Sequence, residues 1–359
     1  MSSIATYVGL DYHESGVQVC ILDGAGKTLC NRSVANRAAA IERTVRQHGR
    51  PAWVAIEACC GAADLAEELA TRHQLPVQLA HPGYVARMKR SPDKTDLADA
   101  GLLADLARVN YLPEVWLAPQ ATRELRRLVR HRAQLVRRRT DVKLRIRAIL
   151  RESRLRCGEA RAWTKAWHAW LAREAALADS DRYLVQDHLA ELAALDTRIR
   201  AAEQRLEAAV ADDPIVARLR TYKYVGLVTA VTLRAEVGRF ERFGTGKQLA
   251  RFCCVTPRNA SSGARQADAG LVPAGNPELR HVLIELGQRL VRGGGRWARL
   301  AAGMLGRGKP KNVVVAAVAN RWVRHLHHEL RRPIQEPLAV SARARQKGAA
   351  PSAFPVASP

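Results

Sequence analysis

The 359-residue sequence predicts an α/β domain followed by a mainly α-helical region with a long central helix. Three observations lead to this fold class: apolar and polar residues alternate near the N-terminus, apolar residues recur at heptad spacing between residues 125 and 206, and glycines separate helix signals after residue 215. We expect an α/β domain at 1–118, a basic coiled-coil region at 119–214, a helical domain at 215–332 and a disordered tail at 333–359.

The N-terminal domain is predicted to open with a three-stranded antiparallel meander. A strand over residues 6–10 ends on Asp11, residues 16–22 alternate in apolar character, and residues 28–34 return after a turn. Alternating elements follow: helix 38–48, strand 53–56 ending on Glu57, helix 62–72, strand 77–80, and a helix beginning near Thr95. Three strands followed by alternating helices and strands are typical of a ribonuclease H-like domain.

Four carboxylates in this domain fall where such a fold would bring them together. Asp11 and Glu57 end neighbouring strands, while Asp96 and Asp99 lie three residues apart on one face of the next helix. Each acid alone has an ordinary alternative, a solvated strand end or a helix N-terminus that favours Asp. Four carboxylates at one edge of the sheet instead predict a site for two hard divalent ions, which require carboxylate oxygens. Glu14 and Asp93 are interpreted as bystanders.

The charge balance points to a polyanionic partner. Lys and Arg number 58 against 34 Asp and Glu, which gives a net charge of +24 and a pI near 10.7. Nucleic acid is favoured over an anionic membrane, because no apolar run long enough to span a bilayer and no leader peptide are recognisable. We therefore expect a cytoplasmic, DNA-binding protein without a membrane association.

Seven cysteines suggest a reducing compartment. They include two adjacent pairs and no Cys-x-x-Cys spacing, so the pattern favours free buried thiols and argues against a cysteine zinc site.

The segment 123–156 is predicted to be one long basic helix. It contains fourteen Arg and Lys residues against three acids, and Leu128, Leu135, Val142 and Ile149 recur every seven residues. Such a density of one charge favours contact with a nucleic-acid backbone over a merely solvated face. A second apolar seam follows between Val185 and Leu206, and the two seams indicate either an antiparallel hairpin or a dimerising coiled coil. The intervening Trp163, Trp167 and Trp170 are interpreted as core residues in preference to a base-stacking platform.

The C-terminal region carries weaker signals. Residues 224–228 and the following apolar helix are similar to a helix-hairpin-helix, whose glycine turn offers backbone N–H groups to phosphate. A Ser-Ser-Gly loop at 261–263 is by itself an ordinary turn, and Asn276-Pro277 predicts the start of a helix that ends near Arg292. The histidines of the last helix lack a one-face metal spacing and are interpreted as surface residues: His325, His327 and His328.

Several of these motifs resemble those of one known family. Its DEDD motif is matched by Gly9-Leu10-Asp11, Ile56-Glu57-Ala58 and the run from Lys94 to Ala100. The C-terminal hallmarks are matched by Val255-Thr256-Pro257, Ser261-Ser262-Gly263 and the run from Gly275 to Arg280. The chain thus resembles the insertion-sequence 110 family of DEDD transposases and recombinases over roughly residues 5 to 330. Two departures, Ala58-Cys59-Cys60-Gly61 and Val225-Gly226-Leu227-Val228, leave the carboxylates and the serine intact.

The resemblance implies a fold, a mechanism and partners. It implies a RuvC-like DEDD domain in which Asp11, Glu57, Asp96 and Asp99 hold Mg²⁺ on the scissile phosphate. A serine of a C-terminal domain then forms a covalent phosphoserine link to DNA; it maps to Ser262, with Ser261 as the fallback. The resemblance also implies a structured guide RNA that pairs with donor and target DNA, and a homodimer or homotetramer.

Two other functions remain as alternatives. A RuvC-like nuclease or junction resolvase would use the same four acids with water as the nucleophile, and Ser262 would then be a turn residue. A non-catalytic architectural protein would bind nucleic acid through its basic helix alone, with the acids as ordinary surface groups.

Overall fold

A computed structural model describes residues 5–89, 95–158, 160–259, 268–272 and 275–331. The chain divides into two compact units, one ending at Leu128 and the other beginning at Val129. The predicted boundaries at 118, 214 and 332 stay predictions, and the predicted tail lies outside the described residues.

The first unit is built on a six-stranded mixed sheet. Its strands are β1 Thr6–Tyr12, β2 Gly16–Leu22, β3 Thr28–Ala35, β4 Pro51–Glu57, β5 Val77–Ala80 and β6 Glu114–Val115, in the order β3-β2-β1-β4-β5-β6. Strands β1, β2 and β3 pair antiparallel, which confirms the predicted meander, and β1, β4 and β5 pair parallel. This mixed α/β arrangement is compatible with a ribonuclease H-like domain.

Helices cover both faces of this sheet. They are α1 Ala38–Arg46, α2 Ala62–Thr71, α3 Pro82–Met88 and α4 Asp96–Arg108. Val8 and Leu10 point to one face, where a single apolar core also contains residues of α1 and α2. Because side chains alternate along a strand, Gly9 and Asp11 point to the other face, where α4 lies.

Helix α4 approaches the sheet closely because the strands below it carry small residues. Gly9 is paired in register with Cys20 on β2 and Ala55 on β4, so three small residues form a row across the sheet. A Cβ on Gly9 would collide with the carbonyl oxygen of Ala100 and lie 2.5 Å from the amide nitrogen of Ala104. The glycine therefore fixes the height and position of α4 over β1.

The second unit contains an antiparallel helical hairpin. Helix α5, Gln120–Glu152, contributes to one buried cluster together with helix α7, Asp179–Ala209. Ion pairs join Arg132 to Glu203 at 2.6 Å and Arg139 to Asp196 at 3.0 Å, so residue numbers rise on one helix as they fall on the other. The two seams thus pack against each other within one chain, which resolves the open alternative in favour of the hairpin.

The tryptophans of the connector belong to the hairpin core, as predicted. Helix α6, Lys165–Arg173, carries the buried Trp167, and the partly buried Trp163 and Trp170 pack against the same cluster. The predicted seam of α5 is only partly correct: Leu135 and Val142 are buried, but Leu150 replaces the half-buried Ile149. An α-helix of 3.6 residues per turn drifts from a strict seven-residue repeat, which accounts for this shift.

The remaining described elements are mainly helical. They are α8 Pro214–Arg220, α9 Leu227–Val237, a 3-10 turn Phe240–Arg242, α10 Gly246–Phe252, β7 Pro257–Asn259, β8 Asp268–Leu271, α11 Pro277–Arg292, α12 Arg296–Gly306 and α13 Lys311–Leu330. The Asn276 side chain accepts hydrogen bonds from the amides of Glu278 and Leu279, and Pro277 begins α11, as predicted. Among the described residues, no helix is both long and apolar enough to cross a membrane.

Two predictions about side-chain exposure were wrong. His327 is 1% exposed, and its Nε2 lies 2.8 Å from the carbonyl oxygen of Phe243. It belongs to the apolar face of α13 together with Val323 and Leu326, since residues three and four apart share a face. The cysteines are free, but Cys59 and Cys60 are exposed because they lie in the turn after β4.

Candidate metal centre

Asp11 and Glu57 lie at the carboxyl ends of the neighbouring parallel strands β1 and β4. Leu10 pairs in register with Ile56, and the next residues along the two strands are Asp11 and Glu57. Side-chain alternation directs both carboxylates to the face that α4 covers, since Gly9 and Ala55 precede them by two residues. The predicted strand-end placement is therefore present in the described fold.

Asp96 and Asp99 occupy the first turn of α4. The helix begins beside Thr95, as the sequence predicted, and the Thr95 hydroxyl caps it by accepting a hydrogen bond from the amide of Ala98 at 3.3 Å. Because Ala100 lies over Gly9, the preceding turn of α4 lies over the end of β1, beside Asp11. The positive end of the helix dipole also stabilises negative charge at this turn.

His13 joins Asp11 and Asp96, and the sequence analysis missed it. Its Nε2 lies 3.2 Å from Asp11 Oδ2 and 3.2 Å from Asp96 Oδ1. The ligand atoms of the three residues all lie within 4.8 Å of one another. The available signal was the spacing, since His13 follows Asp11 by two residues and strand alternation directs such residues to one face.

Asp99 has a different partner. Lys89 Nζ lies 2.6 Å from Asp99 Oδ1, and only 14% of the Asp99 side chain is exposed. The lysine offsets the charge of this carboxylate in the absence of another cation. Among the described residues, the compact cluster of possible metal ligands thus contains Asp11, His13 and Asp96, while Asp99 is ion-paired beside it.

Glu57 is half-buried at the end of β4 and belongs to the same electrostatic environment. The pKa of the Cys59 thiol is raised mainly by desolvation, and the charges of Glu57 and Asp11 raise it further. One neighbouring thiol therefore responds to both strand-end carboxylates.

The Asp11 carboxyl is partly buried among other acids. Its pKa is raised, first by burial and then by the charges of Asp99 and Asp96, although His13 opposes the change. A divalent cation would relieve this repulsion, because an opposite charge favours the ionised carboxylate. The donor set of carboxylate oxygens with one imidazole nitrogen also fits such an ion.

The predicted nucleophile cannot be placed in the same way. Ser262 and Ser261 lie outside the described residues, in the segment between β7 and β8. The flanks of that segment are anchored in the second unit. Asn320 Nδ2 donates to the carbonyl oxygen of Val255 at 3.1 Å, and Asn276 Nδ2 donates to Glu236 Oε2 at 2.6 Å.

The long basic helix α5 divides into a paired part and a part without acidic partners. Four of its arginines bind acids of the same unit: Arg130 with Glu236, Arg132 with Glu203, Arg137 with Glu278, and Arg139 with Asp196. Within the described ranges, Arg145, Arg147 and Arg151 make no ion pair. The positive charge of α5 is therefore partly neutralised by the chain itself, and arginines without acidic partners remain at the end of the hairpin.

A pocket of about 380 Å³ lies at that end. Its lining includes Arg147, Arg151 and Arg156 together with the half-buried Trp170. Guanidinium groups suit phosphate, and an aromatic ring suits a nucleobase.

Comparison with known proteins gives the chain a family. A transposase family model of the DEDD type matches residues 8–154, which include all four acids, and a model described as the transposase IS116/IS110/IS902 family matches residues 216–301. A probable family 20 transposase of Pseudomonas aeruginosa is 30% identical over 332 residues, covering 89% of this chain and 95% of the relative.

Two further relatives are transposases of named insertion sequences. The transposase for IS1328 of Yersinia enterocolitica is 26% identical, with 89% of this chain and 95% of the relative covered. The transposase for IS1111A of Coxiella burnetii is 28% identical, with 79% and 78% covered. This chain therefore belongs to the IS110 family of DEDD transposases, enzymes that cleave and rejoin DNA.

Proposed function

We propose that this transposase cuts and rejoins DNA through a covalent phosphoserine intermediate. Asp11, Glu57, Asp96 and Asp99 would hold Mg²⁺ at the scissile phosphate, and the Ser262 hydroxyl would be the nucleophile. The observation that carries the metal part is the convergence of Asp11 and Asp96, together with the raised pKa of Asp11. Support for the serine is its position within the second matched segment, 216–301.

The proposed chemistry is two successive transesterifications. The Ser262 hydroxyl oxygen forms a bond to phosphorus, the bond from phosphorus to the departing sugar oxygen breaks, and that oxygen takes a proton as the serine loses one. A sugar hydroxyl of another DNA end then attacks the phosphoserine, and the serine recovers its proton. A bound Mg²⁺ would offset the charge that develops on the phosphate oxygens.

The residues of the chain have separate tasks in this scheme. The strand-end carboxylates and the first turn of α4 fix the cation position, because Gly9 sets the distance between helix and sheet. Lys89 offsets the charge of Asp99 before a cation binds. The predicted domains divide the work, with the acids in 1–118 and the serine in 215–332. Either a second domain or a second protomer of a dimer or tetramer would bring the serine to the acids.

We assign nucleic-acid binding to the end of the hairpin. Arginines without acidic partners line the pocket beside Trp170, and a structured guide RNA that bridges donor and target DNA is the partner that the family resemblance implies. The net charge of +24 supports contacts with many phosphates.

The decisive experiment detects the covalent intermediate. Purified protein is incubated with DNA carrying the ends of its element, Mg²⁺ and co-purifying RNA, and denaturing gels are run beside Ser262→Ala, Ser261→Ala and Asp99→Ala. We expect a Mg²⁺-dependent protein–DNA adduct that Ser262→Ala and Asp99→Ala abolish and Ser261→Ala retains. Cleaved DNA without an adduct, undiminished in Ser262→Ala, would instead identify a nuclease that uses water.

A further inference from the structure

His13 lies inside the proposed metal centre although it is not one of the four acids. This inference rests on the proposed function and concerns which ion the centre prefers. The histidine follows strand β1, and its backbone is held in place on two sides. Its amide donates to the carbonyl oxygen of Gly16 at 3.0 Å, and its carbonyl oxygen accepts from Asn36 Nδ2 at 2.9 Å.

A hydrogen bond to Asp11 accounts for only one of the two contacts of the imidazole nitrogen. A ring nitrogen carries at most one hydrogen, so Nε2 can make only one well-aligned hydrogen bond. Yet it lies at the same distance, 3.2 Å, from an oxygen of Asp11 and an oxygen of Asp96. Equal approach by two carboxylates suits a nitrogen that shares a cation with them.

The two distances from His13 Nε2 to the carboxylates are those of neighbouring ligands on a single ion. Neighbouring ligands at about 2.2 Å from an octahedral ion would be about 3.1 Å apart. Ligands at about 2.0 Å from a tetrahedral zinc ion would be about 3.3 Å apart. The observed 3.2 Å falls between these values. The His13 side chain is 43% exposed, so an ion can reach it from solvent.

We propose that His13 is a metal ligand and that, with Asp11 and Asp96, it makes one ion position prefer a first-row transition metal such as Mn²⁺ over Mg²⁺. Magnesium favours oxygen ligands and retains much of its water, whereas transition-metal ions gain from an imidazole nitrogen. The neutral histidine supplies its lone pair to the ion, and the two aspartates supply the negative charge.

The test is direct Mn²⁺ binding, followed by pulsed electron paramagnetic resonance on the unmutated protein. With natural isotopes we expect a ¹⁴N coupling from a directly bound nitrogen. After labelling of histidine with ¹⁵N, the coupling should change to that of ¹⁵N. His13→Ala should remove it and weaken Mn²⁺ binding by about tenfold or more, with a smaller loss for Mg²⁺. His48→Ala is the control, because it removes a different histidine of the same unit. It should leave the nitrogen coupling and the Mn²⁺ affinity unchanged.

The outcomes separate this inference from the proposed function. In one outcome, Mn²⁺ binds without a nitrogen coupling and Asp11→Asn abolishes the binding. This result would overturn the role of His13 and would support the four-acid centre. Mn²⁺ and Mg²⁺ binding that is unaffected by Asp11→Asn would overturn both proposals.

Discussion

Two regions of this transposase concentrate charge of one sign, but they differ in how far residues of opposite charge neutralise it. At the edge of the sheet in the first unit, the close approach of α4 brings Asp96 within 4.8 Å of Asp11, and burial, more than the neighbouring acids, raises the pKa of Asp11. In the hairpin of the second unit, four arginines of α5 are matched by acids of the same unit. The number of charges in a region does not indicate a ligand site. Charges that lack an opposite charge within the chain do.

The largest expected effect comes from disturbing the close packing that creates the acidic edge. Gly9→Ala would push α4 away from β1, because the added Cβ meets the backbone of Ala100 and Ala104. We expect a loss of about 1–3 kcal/mol in the free energy of unfolding. A displacement of about 1 Å should also cost about 100-fold in DNA cleavage.

The matched control for this variant is Gly24→Ala, where an added Cβ would meet nothing within 4 Å. Chemical denaturation and a cleavage assay on both variants provide the comparison. Equal behaviour of the two variants would show that the approach of α4 does not position the acids.

The second prediction compares two ion pairs of α5 arginines that differ in the burial of the glutamate: Glu236 is buried, whereas Glu203 is half-buried. Glu236 is 2% exposed; its two carboxylate oxygens accept from Arg130 at 2.8 and 2.9 Å, and the carboxylate raises the pKa of Arg130. Glu236→Gln should lower the free energy of unfolding by about 2 kcal/mol. The substitution replaces the buried carboxylate that accepts both hydrogen bonds from Arg130 by a neutral amide.

Glu203→Gln is the control for that change. Its partner is Arg132, and the glutamate side chain is 33% exposed, so we expect a loss below about 1 kcal/mol. Urea denaturation measures both variants. A larger loss for Glu203→Gln would contradict the view that the depth of burial decides the value of these pairs.

The third prediction concerns the arginines without acidic partners. Arg147→Ala combined with Arg151→Ala should reduce the slope of log binding constant against log salt concentration for duplex DNA by about 2, because two phosphate contacts are lost. Arg139→Ala should change the slope less, since Arg139 is already paired with Asp196. Fluorescence anisotropy over a range of salt concentrations gives the slopes. Equal slopes for the wild type and both variants would show that the hairpin end does not contact DNA.

The smallest effect is a dependence of stability on pH at the acidic edge. Burial raises the pKa of Asp11 in the folded chain above its ordinary value. Its contribution to metal-free stability is therefore fully present below that value and is lost as the pH rises through the folded pKa. The stability of the wild type relative to Asp11→Asn should fall over this range in EDTA, as followed by thermal unfolding. A relative stability that rises with pH would contradict the assigned shift.

The sequence predicts local structure well where the signal is local. Val17, Val19 and Ile21 alternate and form β2, α4 begins beside Thr95, and Asn276-Pro277 begins α11, because each signal acts within one element. The four acids could likewise be assigned to one sheet edge once the order of strands was inferred.

What the sequence misses depends on contacts between distant residues. His13 meets Asp96 only because Gly9 lets α4 approach, and Arg130 meets Glu236 across 106 positions of the chain. The burial of His327 also depends on a neighbouring carbonyl group, that of Phe243. Polar side chains have no periodicity strong enough to reveal such partners.

The most direct measurement is thermal unfolding of the wild type and Asp11→Asn with and without Mg²⁺. If the acidic edge is a metal centre, the substituted protein should be the more stable of the two in EDTA, because it places no partly buried charge beside Asp99 and Asp96. Added Mg²⁺ should then stabilise the wild type and leave Asp11→Asn nearly unchanged. Equal stabilisation of both proteins by Mg²⁺, or none of the wild type, would contradict the assignment of this edge as the metal centre.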